Sequence, residues 1–463
     1  MNDKGVHIYE GNVQDLFLEG SNILTQAVEH TLGPNGTNSA VPTSNDFLSI
    51  INDGKSIIHR LSSDRPELKL VLNTLKESAL ATDKNSADGT TSSIVLQNQL
   101  LTNLLDYNRT HSDVITSSML LNMRDSILKS LQKYKKEVSS DEDLRNVITV
   151  SLGSDTFTDV IFDAFKNLSI EQKPTIMKTD EISGVSAVSV EGISITPVEI
   201  NPIVLKYMPL NLEEPMNVIL INQSVSRLDT AFAAFLNKIS KSPKKTVMFF
   251  SDISYSVLDQ IHYNIQEGSL NLIPVKIKAV DKLDSYFGAL KDYFKCDVLD
   301  EMNPYQLNYD SASIWGEATS CTYTKDSIVI HCDNDEYSSD ILPSSSSIIK
   351  VGFTTYSQQD EYYKRIEDAV SSAYNARNTG YVLGAGFTYD CLGKEVDCEP
   401  VKVSMSYLFN LLFGLSNMNL RAEFVDYIEK NVFDSYMVAE QVIFNSFTVV
   451  SQVLSTKCLL VSY

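Results

Sequence analysis

Six cysteines and six histidines are spread thinly over the 463 residues, and neither set is grouped for chemistry. Cys296, Cys321, Cys332, Cys391, Cys398 and Cys458 contain no CxxC pair and no even framework. They read as free thiols of a reducing cytoplasm. No HExxH motif or His/Cys cluster is present, which argues against a zinc site. Basic residues are also scarce: 38 Lys and Arg face 59 Asp and Glu, for a formal net charge of −21. With no basic run or basic-aromatic stripe, a nucleic-acid backbone is excluded as a partner on electrostatic grounds. Long apolar runs are missing too. The richest, Val403 to Leu415, suits a buried helix and is too short for a bilayer. The first twenty residues carry Asp3, Glu10, Asp15 and Glu19 and no signal-peptide core, so neither membrane nor export is expected. Neither the GxxxxGK[ST] loop nor a GxGxxG after a strand occurs, and no internal repeat is visible.

What remains is an ordinary folded composition, 43% hydrophobic and 21% charged, in a chain too long for one core. Two or three domains are expected. The first 135 residues read as mostly helical. Val95, Leu96, Leu100, Leu101, Leu104 and Leu105 recur at helical spacing, as do Met119, Leu120, Met123, Ile127 and Leu131. The middle alternates: Val185 to Ile195, Val218 to Ile221 and Thr246 to Phe250 read as strands between amphipathic segments, an α/β module. Asp333 to Ser347 reads as a loop, Ile348 to Phe353 as a strand, and Glu361 to Asn378 as a helix stopped by Gly380. The end is helical again, with a last apolar strand at Cys458 to Ser462. Helical ends thus enclose an α/β centre. A chain that leaves one domain and returns to it crosses twice, and paired crossings are natural hinges.

Two segments could cradle a phosphate. One is Thr31-Leu32-Gly33-Pro34-Asn35-Gly36. The other, Asp88-Gly89-Thr90-Thr91-Ser92, runs directly into a helix. Glycine allows close backbone approach, and a helix N-terminus supplies unpaired N–H donors with partial positive charge. Asp88 would repel phosphate unless a divalent cation lay between them, so it makes sense as a Mg2+ ligand. Read alone, each segment is equally a plain turn or a helix cap.

Taken together they carry more. Thr31-Leu32-Gly33-Pro34, Asn52-Asp53-Gly54 and Asp88-Gly89-Thr90-Thr91-Ser92 resemble, in order and spacing, the equatorial domain of the group I (GroEL-type) chaperonin family. Thr149 to Asp155, Glu191-Gly192, Lys350-Val351-Gly352, Arg365 to Ala369, the turn Gly380, Gly384 and Gly386, and Phe433-Asp434 continue the resemblance over most of the chain. It implies a multidomain α+β and α/β chaperonin fold. The helical equatorial ATP-binding domain would span 1–134 and 381–463, a small intermediate domain 135–190 and 347–380, and an α/β apical domain 191–346.

The resemblance also implies roles. Thr31, Leu32, Gly33, Pro34, Asn52, Gly89, Thr90, Thr91, Ser92, Gly384 and Ala385 would hold ATP, Asp88 would carry Mg2+, and Asp434 would meet the ribose. Asp368 would be the catalytic acid that orients the attacking water, with Asp53 beside it. Helix geometry allows this, since Asp368 lies about 200° around the axis from the apolar Ile366. The competing reading of Asp368 is a solvated helix acid. Gly192 and Gly352 would be hinges. Phe232, Phe235, Leu258, His262 and Tyr263 would offer an apolar face to non-native polypeptides, with core packing the competing reading.

Departures from the family narrow the expectation. Asn52 replaces a usual lysine, which bears on any use of K+. Ala385 replaces a glycine, harmless at negative φ and costly at positive φ. The adenine-contacting segment is not recognisable. The stretch from Gly386 to Asp434 is short by a pair of helices that, in relatives, joins two rings. The expected assembly is therefore a homo-oligomeric ring of about seven subunits, single in at least one nucleotide state, with the co-chaperonin requirement open. Such trimming points to a specialised, phage-type member working in a host cytoplasm. The function implied is ATP-driven protein folding; the alternative is a ring-forming scaffold or holdase with little ATP turnover. A small-molecule kinase is disfavoured, because no basic residue accompanies the phosphate loops.

Overall fold

In the computed structural model the described residues are 6–33, 36–42, 48–166, 168–170, 172–179, 184–278, 282–300, 311–334, 336–337, 339, 341–342, 345–416 and 418–462. The chain divides into two compact units. One joins Met1–Phe162 to Thr354–Tyr463, and the other is Asp163–Phe353.

The first unit is helical. The helices Val13–Val28, Pro66–Ser86, Thr90–Thr110, Ser117–Leu131, Glu399–Leu415 and Tyr436–Ser455 supply its core. Thr90–Thr110 is central. Val95, Leu96, Leu100, Leu101 and Leu104 are fully buried, each such side chain contributing about 1.5–3 kcal/mol of apolar burial. The ends are set locally: Asn12 and Thr116 accept hydrogen bonds from the first-turn N–H groups of their helices, and Pro66 opens its own. Tyr436–Ser455 is long and apolar enough to cross a membrane by composition, yet Val442, Ile443, Phe447 and Val450 are fully buried in this core. Of the expected last strand, Leu460–Ser462 forms and pairs antiparallel with Val6–Ile8. Helix Asp141–Leu152, opened by a Ser140/Asp143 capping box, packs on helix Tyr356–Thr379. The latter starts five residues before the expected Glu361, because Thr355 caps it, and it stops at Gly380 as expected.

The second unit is α/β. Parallel strands Met216–Val225, Thr246–Ile253, Leu272–Ile277 and Val298–Asp300 form its main sheet, with Val198–Glu199 antiparallel at one edge. Val218–Ile221 and Val247–Phe250 are wholly buried, as befits strands covered on both faces. Helices Thr230–Ser240, Tyr255–Gln266 and Leu283–Phe294 accompany the sheet. Two smaller sheets complete the unit, and Ser345–Gly352 lies between Thr175–Lys178 and Gly184–Glu191 in one of them. The segment expected to be loop up to Ser347 therefore ends earlier. Ser345 to Ser347 pair with Glu191 to Ser189, and that ladder satisfies their backbone groups.

Candidate functional site

The helical unit gathers most of its candidate residues where helix Pro66–Ser86 turns into helix Thr90–Thr110. Two left-handed residues make the turn, Ala87 (φ 59°) and Gly89 (φ 90°), with Asp88 between them. Gly89 is required twice over. Its φ favours glycine, and a Cβ would lie 2.9 Å from both Val438 Cγ1 and Val442 Cγ2. Gly89 brings no side-chain cap to the helix, so the first-turn N–H groups that follow it have no intrahelical acceptor. Such an end suits an anion.

Asp88 Oδ1 accepts from its neighbour's Gly89 N–H at 2.6 Å, and Oδ2 accepts from the Ser151 hydroxyl at 3.0 Å. Ser151 Oγ lies 3.1 Å from Ser372 Oγ, so the helices Asp141–Leu152 and Tyr356–Thr379 both reach this turn. Asp368, one turn before Ser372, feels the charges of Asp88, Asp53 and Asp83. Asp434 stands on strand Phe433–Ser435, opposite Val382 of Tyr381–Leu383. A Cβ on Gly384 would lie 2.8 Å from Asp434 Oδ1, so only glycine lets that carboxylate sit against the turn. Ala385 has φ 50°, the unfavourable alternative for this glycine replacement.

The electrostatics show the strain of the arrangement. Burial first, and then neighbouring carboxylates, push Asp88 up and Asp368 well up from the ordinary range. Asp434 is pushed up to about 7, by burial and then by Asp88. Each keeps a little solvent contact, yet each is enclosed enough for desolvation to lead. Asp88, Asp368 and Asp434 thus share one neighbourhood. Asp53 joins them as the N-cap of helix Gly54–Arg60, accepting from the N–H of Lys55 at 3.0 Å and of Ser56 at 3.1 Å.

The other marked residues fall as follows. Thr31 closes a 3-10 turn, and its hydroxyl donates to the Val28 carbonyl at 2.7 Å. Leu32 packs on the helical core and Gly33 is left-handed at φ 79°. Pro34 lies outside the described residues. Asn52 directly precedes Asp53, and Thr90 is buried while Thr91 and Ser92 are half-buried. In the α/β unit Gly192 (φ 132°) turns the chain from one strand to the next, where a Cβ would meet the Ile330 carbonyl at 2.7 Å. Gly352 ends its strand one residue before the unit does.

Two expectations need correction. Phe232 and Phe235, each 2% exposed, belong to the core: with Ile239 they form the one apolar stripe of helix Thr230–Ser240, and the unit's interior takes it. His262 is equally buried and Leu258 half-buried, both on the inner side of helix Tyr255–Gln266, where burial pushes the His262 imidazole down from its ordinary range. Of the five, Tyr263 alone is well exposed, at 63%. The second correction concerns charge. A basic residue does accompany the phosphate turn: Lys55 Nζ is paired with Asp83, itself buried five residues before Asp88. Lys55, Asp83, Ser151 and Ser372 were not marked as site residues. Lys55 and Ser151 each lay inside or beside a marked segment, but Asp83 and Ser372 carry no local signal.

Comparison with known proteins follows this geometry. The pattern of the TCP-1/cpn60 chaperonin family matches residues 24–249. Chaperonin GroEL 1 of Corynebacterium diphtheriae is 24% identical over 419 residues, spanning 82% of this chain and 76% of its own length. Chaperonin GroEL 2 of Corynebacterium jeikeium is 23% identical with the same coverage. The crystal structure of the chaperonin gp146 from the bacteriophage EL 2 (Pseudomonas aeruginosa), in presence of ATP-BeFx, covers 99% of both chains with a TM-score of 0.72 at 15% identity. The chain resembles the GroEL-type chaperonins in a divergent, shortened form. The chaperonin fold expected from the short motifs is present along nearly the whole chain. At such low identity the phage structure speaks for the fold alone.

Proposed function

We propose that this chaperonin subunit binds and hydrolyses ATP and couples the reaction to the handling of non-native polypeptides in a homo-oligomeric ring. One observation carries the reading: Asp88, Asp368, Asp434 and Asp53 converge on the glycine turn that opens helix Thr90–Thr110. Buried carboxylates that raise one another's pKa are short of positive charge, and that deficit fits a divalent cation. Among the described residues no three acidic, His or Cys groups are close enough to hold a metal unaided. Mg2+ does not need them, since it takes one or two carboxylates and leaves its other positions to water and substrate phosphates. Asp88 is the ligand proposed here, and a bound Mg2+ would neutralise phosphate charge.

The chain's own residues then divide the work. The N–H groups from Thr90 to Ser92, with the Thr31 to Gly33 turn, take the phosphates. Ser151 holds Asp88 in one orientation through its 3.0 Å hydrogen bond. Asp434, seated against Gly384, meets the ribose. Asp368 orients the attacking water and accepts its proton, a task that a raised pKa favours. Movement at hinges near Gly192 and Gly352 would supply the coupling. Client contact falls to exposed aromatics such as Tyr255 and Tyr263, not to Phe232 or Phe235.

Phosphate release measured on the parent protein and on Asp368→Ala tests the proposal. The expected result is a fall of about 100-fold or more in turnover with nucleotide affinity retained. A slow parent unaffected by the substitution would favour the scaffold or holdase reading instead.

A further inference from the structure

The acidic cluster holds a cation that the family motifs do not assign. Gly54 is pressed so tightly on the phosphate turn that a Cβ would lie 2.2 Å from Thr91 Oγ1, and the next residue is Lys55. Its ammonium pairs with Asp83, whose side chain is 10% exposed, while its own side chain is 45% exposed. Asp368 and Glu367 also act on it. The lysine is therefore held at the rim of the cluster and is not locked within it.

We propose that Lys55 contacts the terminal phosphate of the nucleotide, a role that rests on the nucleotide reading given above. The charges require such a group. Asp88 and Asp368 already feel Asp53 and Asp83, Asp434 feels Asp88, and a triphosphate adds more negative charge than one divalent ion balances. An ammonium on a flexible four-carbon stem can leave Asp83 and swing to a phosphate oxygen, as a planar guanidinium fixed by two hydrogen bonds would not. Without nucleotide, the Asp83 pair parks the charge and relieves the cluster. With nucleotide, the same charge neutralises phosphate beside Thr91. Lys55 is thus a nucleotide-binding residue that discriminates triphosphate from diphosphate.

Titration calorimetry in Mg2+ with ADP and with the non-hydrolysable β,γ-imido analogue of ATP tests this. Lys55→Gln should weaken the triphosphate analogue by about tenfold and ADP by much less, the size expected for one charge-assisted hydrogen bond. Lys55→Arg should recover part of the loss. Lys364→Gln is the control, because Lys364 bonds Asp360 and also Ser56, the residue next to Lys55. Since Lys55→Gln leaves Asp83 without its partner, Lys55→Gln/Asp83→Asn is measured as well. Equal weakening in single and double variants supports the phosphate contact. Recovery of parental affinity in the double variant would make the pair merely structural and overturn the proposal, as would unchanged binding by Lys55→Gln. A parent that binds neither nucleotide sinks the nucleotide reading itself.

Discussion

Around Asp88 the helical unit leaves charge uncompensated, while around Phe235 the α/β unit leaves no apolar surface uncovered. Asp368 and Asp434 are each enclosed near Asp88 with Lys55 at the rim, and each of the three is disfavoured in its charged form. Phe232 and Phe235, by contrast, rest on each other, and Phe235 also on Trp315, in a closed core. A fold keeps an unfavourable arrangement only where something else repays it, and ligand binding is the usual reason. The difference is the one expected between the proposed nucleotide site and a finished core.

The largest effect that can break this comparison lies in the α/β unit. Phe235→Ala should destabilise it by about 3–5 kcal/mol, because a fully packed ring leaves a cavity. Tyr263→Ala should stay within about 0.5 kcal/mol and instead weaken capture of a chemically denatured protein. Urea unfolding paired with suppression of client light scattering reads both. A stable Phe235→Ala protein that no longer captures client would return the phenylalanines to the client surface.

The helical unit gives the next effect, and its sign follows from proton counting. Folded Asp434 titrates at about 7 against an ordinary 3.8, so between these values the folded state holds the extra proton. Stability from this group is therefore intact below about pH 4, falls as pH rises towards 7, and stays lower above it. Asp434→Asn removes that loss. It should match the parent near pH 4 and exceed it above pH 7, by a ceiling of about 4 kcal/mol, at the expense of nucleotide affinity. Urea midpoints at pH 5 and pH 8 measure the gap. Equal gaps at both would show that the carboxylate is not held in its protonated form.

Why one region was legible and the other was not is a matter of residue chemistry. Asp88-Gly89-Thr90-Thr91 can be read because a left-handed glycine, an acid and a helix start have few uses in combination. Gly384 belongs to the same class, since its missing side chain is what admits Asp434. Phe232 and Phe235 have the spacing of one helix face whether that face meets a sheet or a client, and sequence cannot choose between them. Asp83 and Ser372 were invisible for a different reason. Ser372 meets Ser151 across 221 residues of chain and Asp83 meets Lys55 from another helix, and nothing local to either residue records it. The short strand ends, such as Ser345 to Ser347, were missed because polar serines gain their strand from a partner ladder and not from their own preference.

The smallest effect sharpens the comparison within the site itself. Ala385 stands at φ 50° between two glycines, half-buried among Phe409, Phe424 and Ile428. Left-handed backbone costs an alanine about 1–2 kcal/mol. Glycine escapes that cost but has more freedom to lose on folding, about 0.4–1 kcal/mol, and it forgoes the methyl contact. Ala385→Gly should therefore stabilise the helical unit by about 0.5 kcal/mol, with nucleotide affinity unchanged. One residue earlier the same pair of residue types should behave in reverse. Gly384→Ala would place a methyl 2.8 Å from Asp434 Oδ1, pushing the carboxylate from its seat, and should weaken nucleotide binding more than it alters stability. Should the two variants behave alike, the turn would be a plain connector, and Asp434 would owe its position to something other than the missing side chain of Gly384.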